Sequence, residues 1–310
     1  MKAQFQGIRR VLTGASALAA TVIFTAAFAG QALAKDLLGQ PTPGAIDLQP
    51  AASVLKHDAI WFHDVILMPI ITAITVLVAG LLIWIVIRYN KKSNPIPAKF
   101  SHNTAIEIIW TVVPVIILMV IAIFSFRLLF AYNDMPKPYM TVKATGYQWY
   151  WGYEYPDQKI SEITSLPLSK EAAEAKKVPY LLAADKAMVV PVNQVVRVQV
   201  TGADVIHAFA LPAFGLKTDA IPGRLNETWF KAEKIGTYYG QCSELCGVEH
   251  SNMPIEIKVV SQAEFDAWVQ AQTAPPAAAA PVEAPAATPV SAPAAVPASV
   301  PAVAPAAPAV

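Results

Sequence analysis

Two long uncharged stretches limit what this chain can fold into more than any other feature. Val65–Ile87 runs for 23 residues and Ile108–Phe126 for 19 without a charged side chain. As helices they would measure roughly 35 and 28 Å, enough to cross a hydrocarbon core of about 30 Å. A buried helix of a soluble protein rarely stays apolar on every side for so long. The loop 88–104 between the two runs carries Arg88, Lys91, Lys92 and Lys99, with no acid to oppose them. Positive charge is retained on the cytoplasmic side. The expectation is therefore a transmembrane hairpin over residues 65–130, with helices 65–87 and 106–130 and a cytoplasmic loop 88–104. Everything beyond residue 134 then lies outside. At 55% hydrophobic and 15% charged residues the composition excludes an ordinary soluble protein. The net charge of +1 decides nothing by itself, and no nucleic-acid partner is expected.

The N-terminus reads as an export signal over residues 1–34. Lys2, Arg9 and Arg10 precede an apolar run, and Ala32-Leu33-Ala34 has the small-residue pattern of a cleavage site. An uncleaved anchor helix is the alternative, and both place Lys35 outside. Residues 35–64 would form a periplasmic segment leading into the hairpin. The chain is thus expected in a bacterial inner membrane, among lipid, crossing more than once, with both termini on the periplasmic side. From 273 to 310 it is almost wholly Ala, Pro and Val, with Glu283 as its sole charge. Repeated prolines cannot support helix or sheet ladders, so this tail is expected to be extended and disordered.

Residues 134–272 read as β-structure. Tyr147, Trp149, Trp151, Tyr153 and Tyr155 alternate with Gln148, Tyr150, Gly152 and Glu154. Val196, Val198 and Val200 alternate with Arg197 and Gln199, and Ile255, Ile257 and Val259 with Glu256 and Lys258. Such alternation marks half-buried strands. Short strands parted by Gly and Pro predict an all-β Greek-key sandwich. A short amphipathic helix near Glu264–Gln270 should close it.

The chemistry is concentrated in the loop from Gly240 to Pro254. Cys242, Cys246, His250 and Met253 lie within twelve residues, and His207 stands 35 residues before Cys242. Soft sulfur ligands with imidazoles favour copper. One copper in a trigonal site needs one thiolate; two thiolates can bridge two ions, each completed by a histidine and a weak axial ligand. Structural zinc on Cys2His2 and a disulfide between the two cysteines are the competing readings. Zinc leaves Met253 without a role. A disulfide makes the neighbouring histidines and methionine a coincidence.

Three segments carry a resemblance: the loop Gln241–Met253, the run Gly215–Arg224 and the aromatic Gln148-Trp149-Tyr150-Trp151. Through them residues 35–272 resemble subunit II of aa3-type cytochrome c oxidases. The resemblance implies a two-helix hairpin with a cupredoxin-like domain holding the dinuclear copper centre CuA. By it, the ligands are His207, Cys242, Cys246, His250, Met253 and the main-chain carbonyl of Glu244. The Glu244 carboxylate is similar to one that binds magnesium shared with subunit I. Gly146 and Gly152 are expected to touch no ligand.

The same resemblance gives roles to residues outside the loop. Trp149 matches the tryptophan that receives electrons from cytochrome c above CuA. Glu107 matches the entrance of a proton pathway; on position alone it would read as an interfacial acid reaching for the headgroups. Glu154, Asp185 and Asp204 match acids of the cytochrome c docking face. The implied function is electron transfer from cytochrome c through CuA to haem in subunit I, where oxygen is reduced with coupled proton pumping. Implied partners are subunit I, further oxidase subunits and cytochrome c. A quinol oxidase subunit would lack the copper ligands. A membrane-tethered copper chaperone would need neither Trp149 nor Glu107.

Overall fold

Residues 37–274 are described by the computed structural model. The expected signal peptide and all but the start of the tail lie outside them. The first apolar run belongs to a longer helix, α1 (Val54–Arg88), and the second to α2 (Thr104–Asn133). Each starts at a polar cap: the Ser53 side chain accepts from the Lys56 N–H, and that of Asn103 from the Ile106 N–H. Helix α1 widens to π geometry over Phe62–Leu67. Pro69 supplies a reason, because it lacks an N–H and its ring clashes with the carbonyl four residues back.

Both helices outrun their apolar segments because their outer ends are built into the β-domain. Leu55 and Lys56 are buried, and Ser53 Oγ donates to the Phe214 carbonyl at 2.8 Å. At the end of α2, Tyr132 Oη donates to the Gly215 carbonyl at 3.0 Å, and Trp229 Nε1 donates to the Tyr132 carbonyl at 3.1 Å. Apolar periodicity reports what faces lipid. It is blind to this anchoring, so helix α1 begins at Val54 although the uncharged run begins at Val65.

The outer domain is a sandwich of two five-stranded sheets. In chain order its strands are β1 (Met140–Tyr147), β2 (Tyr150–Tyr155), β3 (Ile160–Ser165), β4 (Met188–Pro191), β5 (Val195–Gly202), β6 (His207–Leu211), β7 (Leu216–Ala220), β8 (Asn226–Lys231), β9 (Gly236–Cys242) and β10 (Pro254–Val260). One sheet runs β3-β2-β1-β5-β8, the other β4-β10-β9-β6-β7. The pairs β1–β5 and β4–β10 are parallel and the remaining pairs antiparallel. A short helix, α3 (Lys170–Lys176), is capped by Ser169; the sequence reading did not anticipate it. Helix α4 (Gln262–Thr273) closes the domain, with Phe265 as its buried anchor. Alternation governs the core as expected: Val196, Val198 and Val200 point inward and Arg197 and Gln199 outward. Trp151, Tyr153, Tyr155, Phe209, Phe214 and Phe230 fill the space between the sheets.

One expectation fails here. The aromatic run from Tyr147 to Tyr155 is not a single strand. Tyr147 pairs with Tyr150 across a two-residue turn, so Gln148 and Trp149 sit at the tip of the β1–β2 hairpin. The seam between β6 and β9 is also short, with register pairs only at Phe209↔Cys242 and Ala210↔Gln241. Gly240 makes that approach possible, since a Cβ there would come 2.0 Å from the Ala210 carbonyl oxygen.

Candidate metal centre

Three neighbouring elements bring the cluster together. His207 opens β6, Cys242 closes β9, and the loop that follows carries Cys246, His250 and Met253 back to the start of β10. The Cys242 N–H donates to the Met253 carbonyl at 3.0 Å and pinches the base of this loop. Sγ of Cys242 lies 3.8 Å from Sγ of Cys246 and 3.9 Å from His207 Nδ1. Sγ of Cys246 lies 3.5 Å from His250 Nδ1 and 4.0 Å from Met253 Sδ. The Glu244 carbonyl oxygen is 3.3 Å from Cys242 Sγ. His207, Cys242, Cys246 and Met253 are all buried.

The thiols are free, and their separation is far beyond an S–S bond of about 2.05 Å. It is instead a spacing that an ion fills. Two donors about 2.2 Å from one ion at near-tetrahedral angles stand about 3.6 Å apart. Thiolate, imidazole and thioether donors suit copper in particular. The residues present therefore fit the metal that their chemistry implies.

Electrostatics divides the two thiols. Burial pushes Cys242 up, but hydrogen bonds from His207 and from the backbone at Glu244 and Ala208 outweigh it and hold the thiol at about 6. Burial and then the Cys242 charge push Cys246 upward. The pair thus holds one negative charge readily and gives up its second proton when a cation arrives. Burial pulls His207 down, yet its bonds to Cys242 and Asp204 leave it raised.

Sequence reasoning missed the frame around these donors. Asp204 Oδ1 lies 2.8 Å from His207 Nε2 and accepts the Val205 N–H, while Oδ2 accepts the Gln148 N–H at 2.7 Å. Gln148 Nε2 and Trp149 Nε1 both donate to the Cys246 carbonyl, at 2.8 and 3.2 Å. Gly146 does touch the cluster, contrary to expectation: a Cβ there would come 2.9 Å from His207 Cδ2. Gly247 likewise leaves room for the Trp149 ring, 2.9 Å from where its Cβ would stand. The contacts of Gln148, Trp149, Gly146 and Gly247 have no signal in the sequence, because each brings together segments far apart in the chain.

The remaining expected residues lie outside the cluster. The Glu244 side chain is exposed. Glu154 pairs with Lys143 at 3.2 Å, and Asp185 accepts the Leu166 N–H at 2.7 Å. Glu107 lies in the first turn of α2, at the end remote from the β-domain, where an acid also suits the helix dipole.

A membrane hairpin bearing a cupredoxin-like sandwich, with a buried cluster able to hold a soft metal, defines a class of membrane-anchored metalloprotein. Residues 140–260 match the family described as cytochrome C oxidase subunit II, periplasmic domain, and residues 41–128 its transmembrane domain. Cytochrome c oxidase subunit 2 of Cereibacter sphaeroides is 46% identical over 275 residues, covering 84% of this chain and 90% of that one. A probable cytochrome c oxidase subunit 2 of Rickettsia bellii is 50% identical over 230 residues, covering 74% and 85%. The solved periplasmic domain of subunit II of cytochrome oxidase of Bradyrhizobium japonicum is 62% identical, covering 44% of this chain and 96% of that one, with a TM-score of 0.42. The chain belongs to the cytochrome c oxidase subunit II family. It is a membrane protein with a periplasmic domain, and it works with other oxidase subunits.

Proposed function

We propose that this chain is the electron-accepting subunit of its oxidase, taking electrons from cytochrome c at a dinuclear copper centre. The observation that carries the reading is the convergence of six donors from three elements, each within 4.0 Å of a cysteine sulfur. Cys242, Cys246, His207, His250, Met253 and the main-chain carbonyl of Glu244 would hold the copper. When bound, the copper pair supplies a one-electron carrier. The chain's own residues bury the site, turn Nδ1 of both imidazoles toward the cysteine sulfurs, hold His207 through Nε2 by Asp204 and keep the two sulfurs 3.8 Å apart.

Trp149 is the point at which electrons come in. Its half-buried ring is hydrogen-bonded to the Cys246 carbonyl, so it joins the protein surface to a residue that would hold the copper. Glu154, Asp185 and Asp204 contribute to the docking face. The exposed Glu244 carboxylate is free to share magnesium with subunit I, and Glu107 serves proton uptake on the cytoplasmic side. Electrons pass onward to haem in subunit I, where oxygen is reduced and protons are pumped.

Metal analysis and electron paramagnetic resonance of the full-length chain test the assignment. Two coppers per chain and a mixed-valence signal are expected, with Cys242→Ser and Cys246→Ser each losing that signal because a hydroxyl is neither soft nor readily ionised. One copper per chain, or zinc retained in preference, overturns it.

A further inference from the structure

The two-residue turn at the tip of the β1–β2 hairpin has one member with a proposed role, Trp149, and one without, Gln148. Among the described residues, Gln148 alone donates hydrogen bonds toward both halves of the cluster. Its main-chain N–H reaches Asp204 at 2.7 Å, and Asp204 in turn holds His207 Nε2 at 2.8 Å. Its side-chain amide reaches the Cys246 carbonyl at 2.8 Å, a shorter contact than the 3.2 Å bond from Trp149 to the same oxygen. We propose that Gln148 is the positioning residue for electron acceptance, clamping the hairpin tip to the Cys246 loop so that the Trp149 ring stays against it. The proposal rests on the reading of Trp149 as the point of electron acceptance.

The physical case is one of competing freedoms. Gln148 and Trp149 lie at a hairpin tip, where backbone is exposed and mobile by default. Holding an indole at a fixed distance from such a place needs more than its own single N–H bond. The Cys246 carbonyl has two acceptor positions, and both are taken by this turn. Removing the Gln148 donor leaves one bond in place of two, and the indole then spends part of its time displaced from Cys246. Electron transfer through a contact of this kind falls steeply with distance. The donors to the metal are untouched, because Gln148 is not among them and its main-chain bond to Asp204 survives any side-chain change.

Gln148→Met, which keeps the length and loses the amide, tests this in the assembled oxidase. The rate of electron transfer from bound, reduced cytochrome c should fall, by at most about tenfold, the ceiling set by the loss of one well-formed hydrogen bond. Binding affinity and copper content should stay at the parent values. In the full-length chain in micelles, the 15N-indole resonance of Trp149, assigned by its absence in Trp149→Gln, should shift and exchange with solvent faster. Gln148→Asn, which keeps a donor on a shorter stem, should recover part of both effects. A parent transfer rate with an unchanged Trp149 resonance overturns the proposal, and so does a slower rate accompanied by loss of copper. If Trp149→Gln itself transfers at the parent rate, the reading of Trp149 fails, while the indole resonance still decides whether the clamp exists.

Discussion

Asp204 stands 2.8 Å from His207, carboxylate oxygen to Nε2, on the side of the imidazole away from the sulfurs. Burial works against the carboxylate's charge, but its bonds with His207, Val205 and Gln148 more than offset this and keep it below the usual carboxylate range. An acid engaged in this way orients the imidazole it holds before it attracts a partner.

Asp204→Ala should therefore weaken copper binding by roughly 10- to 100-fold, the usual cost of losing a group that orients a metal-binding histidine. Asp204→Asn keeps an acceptor for Nε2 and should lose less. Titration of the full-length chain against a competing chelator measures both. Equal affinities across the three proteins would assign Asp204 to docking alone.

Trp149→Gln removes the ring that joins the surface to Cys246 and leaves every charge in place. Stopped-flow mixing with reduced cytochrome c should show transfer collapsing while affinity and copper content hold. Transfer at the parent rate from the bound complex would move the point of electron acceptance elsewhere on this surface.

Glu154 faces Lys143 directly across β1 and β2 and is paired with it. Both side chains are 38% exposed, so the pair is screened and its own worth is small. Glu154→Gln nevertheless leaves Lys143 unopposed on a face expected to meet a basic protein. Association should slow and its salt dependence flatten, because exposed charges act over a Debye length of about 10 Å at 0.1 M salt. Rates measured across a salt series settle it, and an unchanged slope would remove Glu154 from the docking face.

Glu107→Gln keeps shape and removes a titratable proton. Turnover and haem reduction should slow while the copper spectrum stays as it was. Unchanged turnover across a range of pH would return Glu107 to an interfacial acid at a helix start.

The sequence was informative wherever one residue property decides one outcome. Uncharged length announced the two spanning helices, period-two alternation announced β5 and β10, and soft-ligand spacing announced the cluster at Cys242–Met253. It was silent where the outcome depends on two segments meeting. Alternation ran unbroken through Gln148 and Trp149, with no glycine, proline or asparagine to mark the turn, so the hairpin tip read as strand. Gly146 looked idle because its value lies in the absence of an atom beside His207. Asp185 and Asp204 looked like surface charge because their hydrogen-bond donors come from elsewhere in the chain or from backbone that the sequence leaves unplaced.

The short seam between β6 and β9 has a consequence for how the domain comes apart. Its register pairs are only Phe209↔Cys242 and Ala210↔Gln241, extended by the Ser243 N–H donating to the Ala208 carbonyl at 3.0 Å, so a short ladder at the end that carries His207 and Cys242 is what holds these strands together. An ion held by those two residues would reinforce it. Empty protein should then exchange its amides fastest along this line, and loading should suppress that breathing and raise the melting temperature. The gain is about 2.7 kcal/mol when free metal stands at a hundred times its dissociation constant. In that sense a bound ion would also be a fastener, reinforcing the shortest ladder of this sheet.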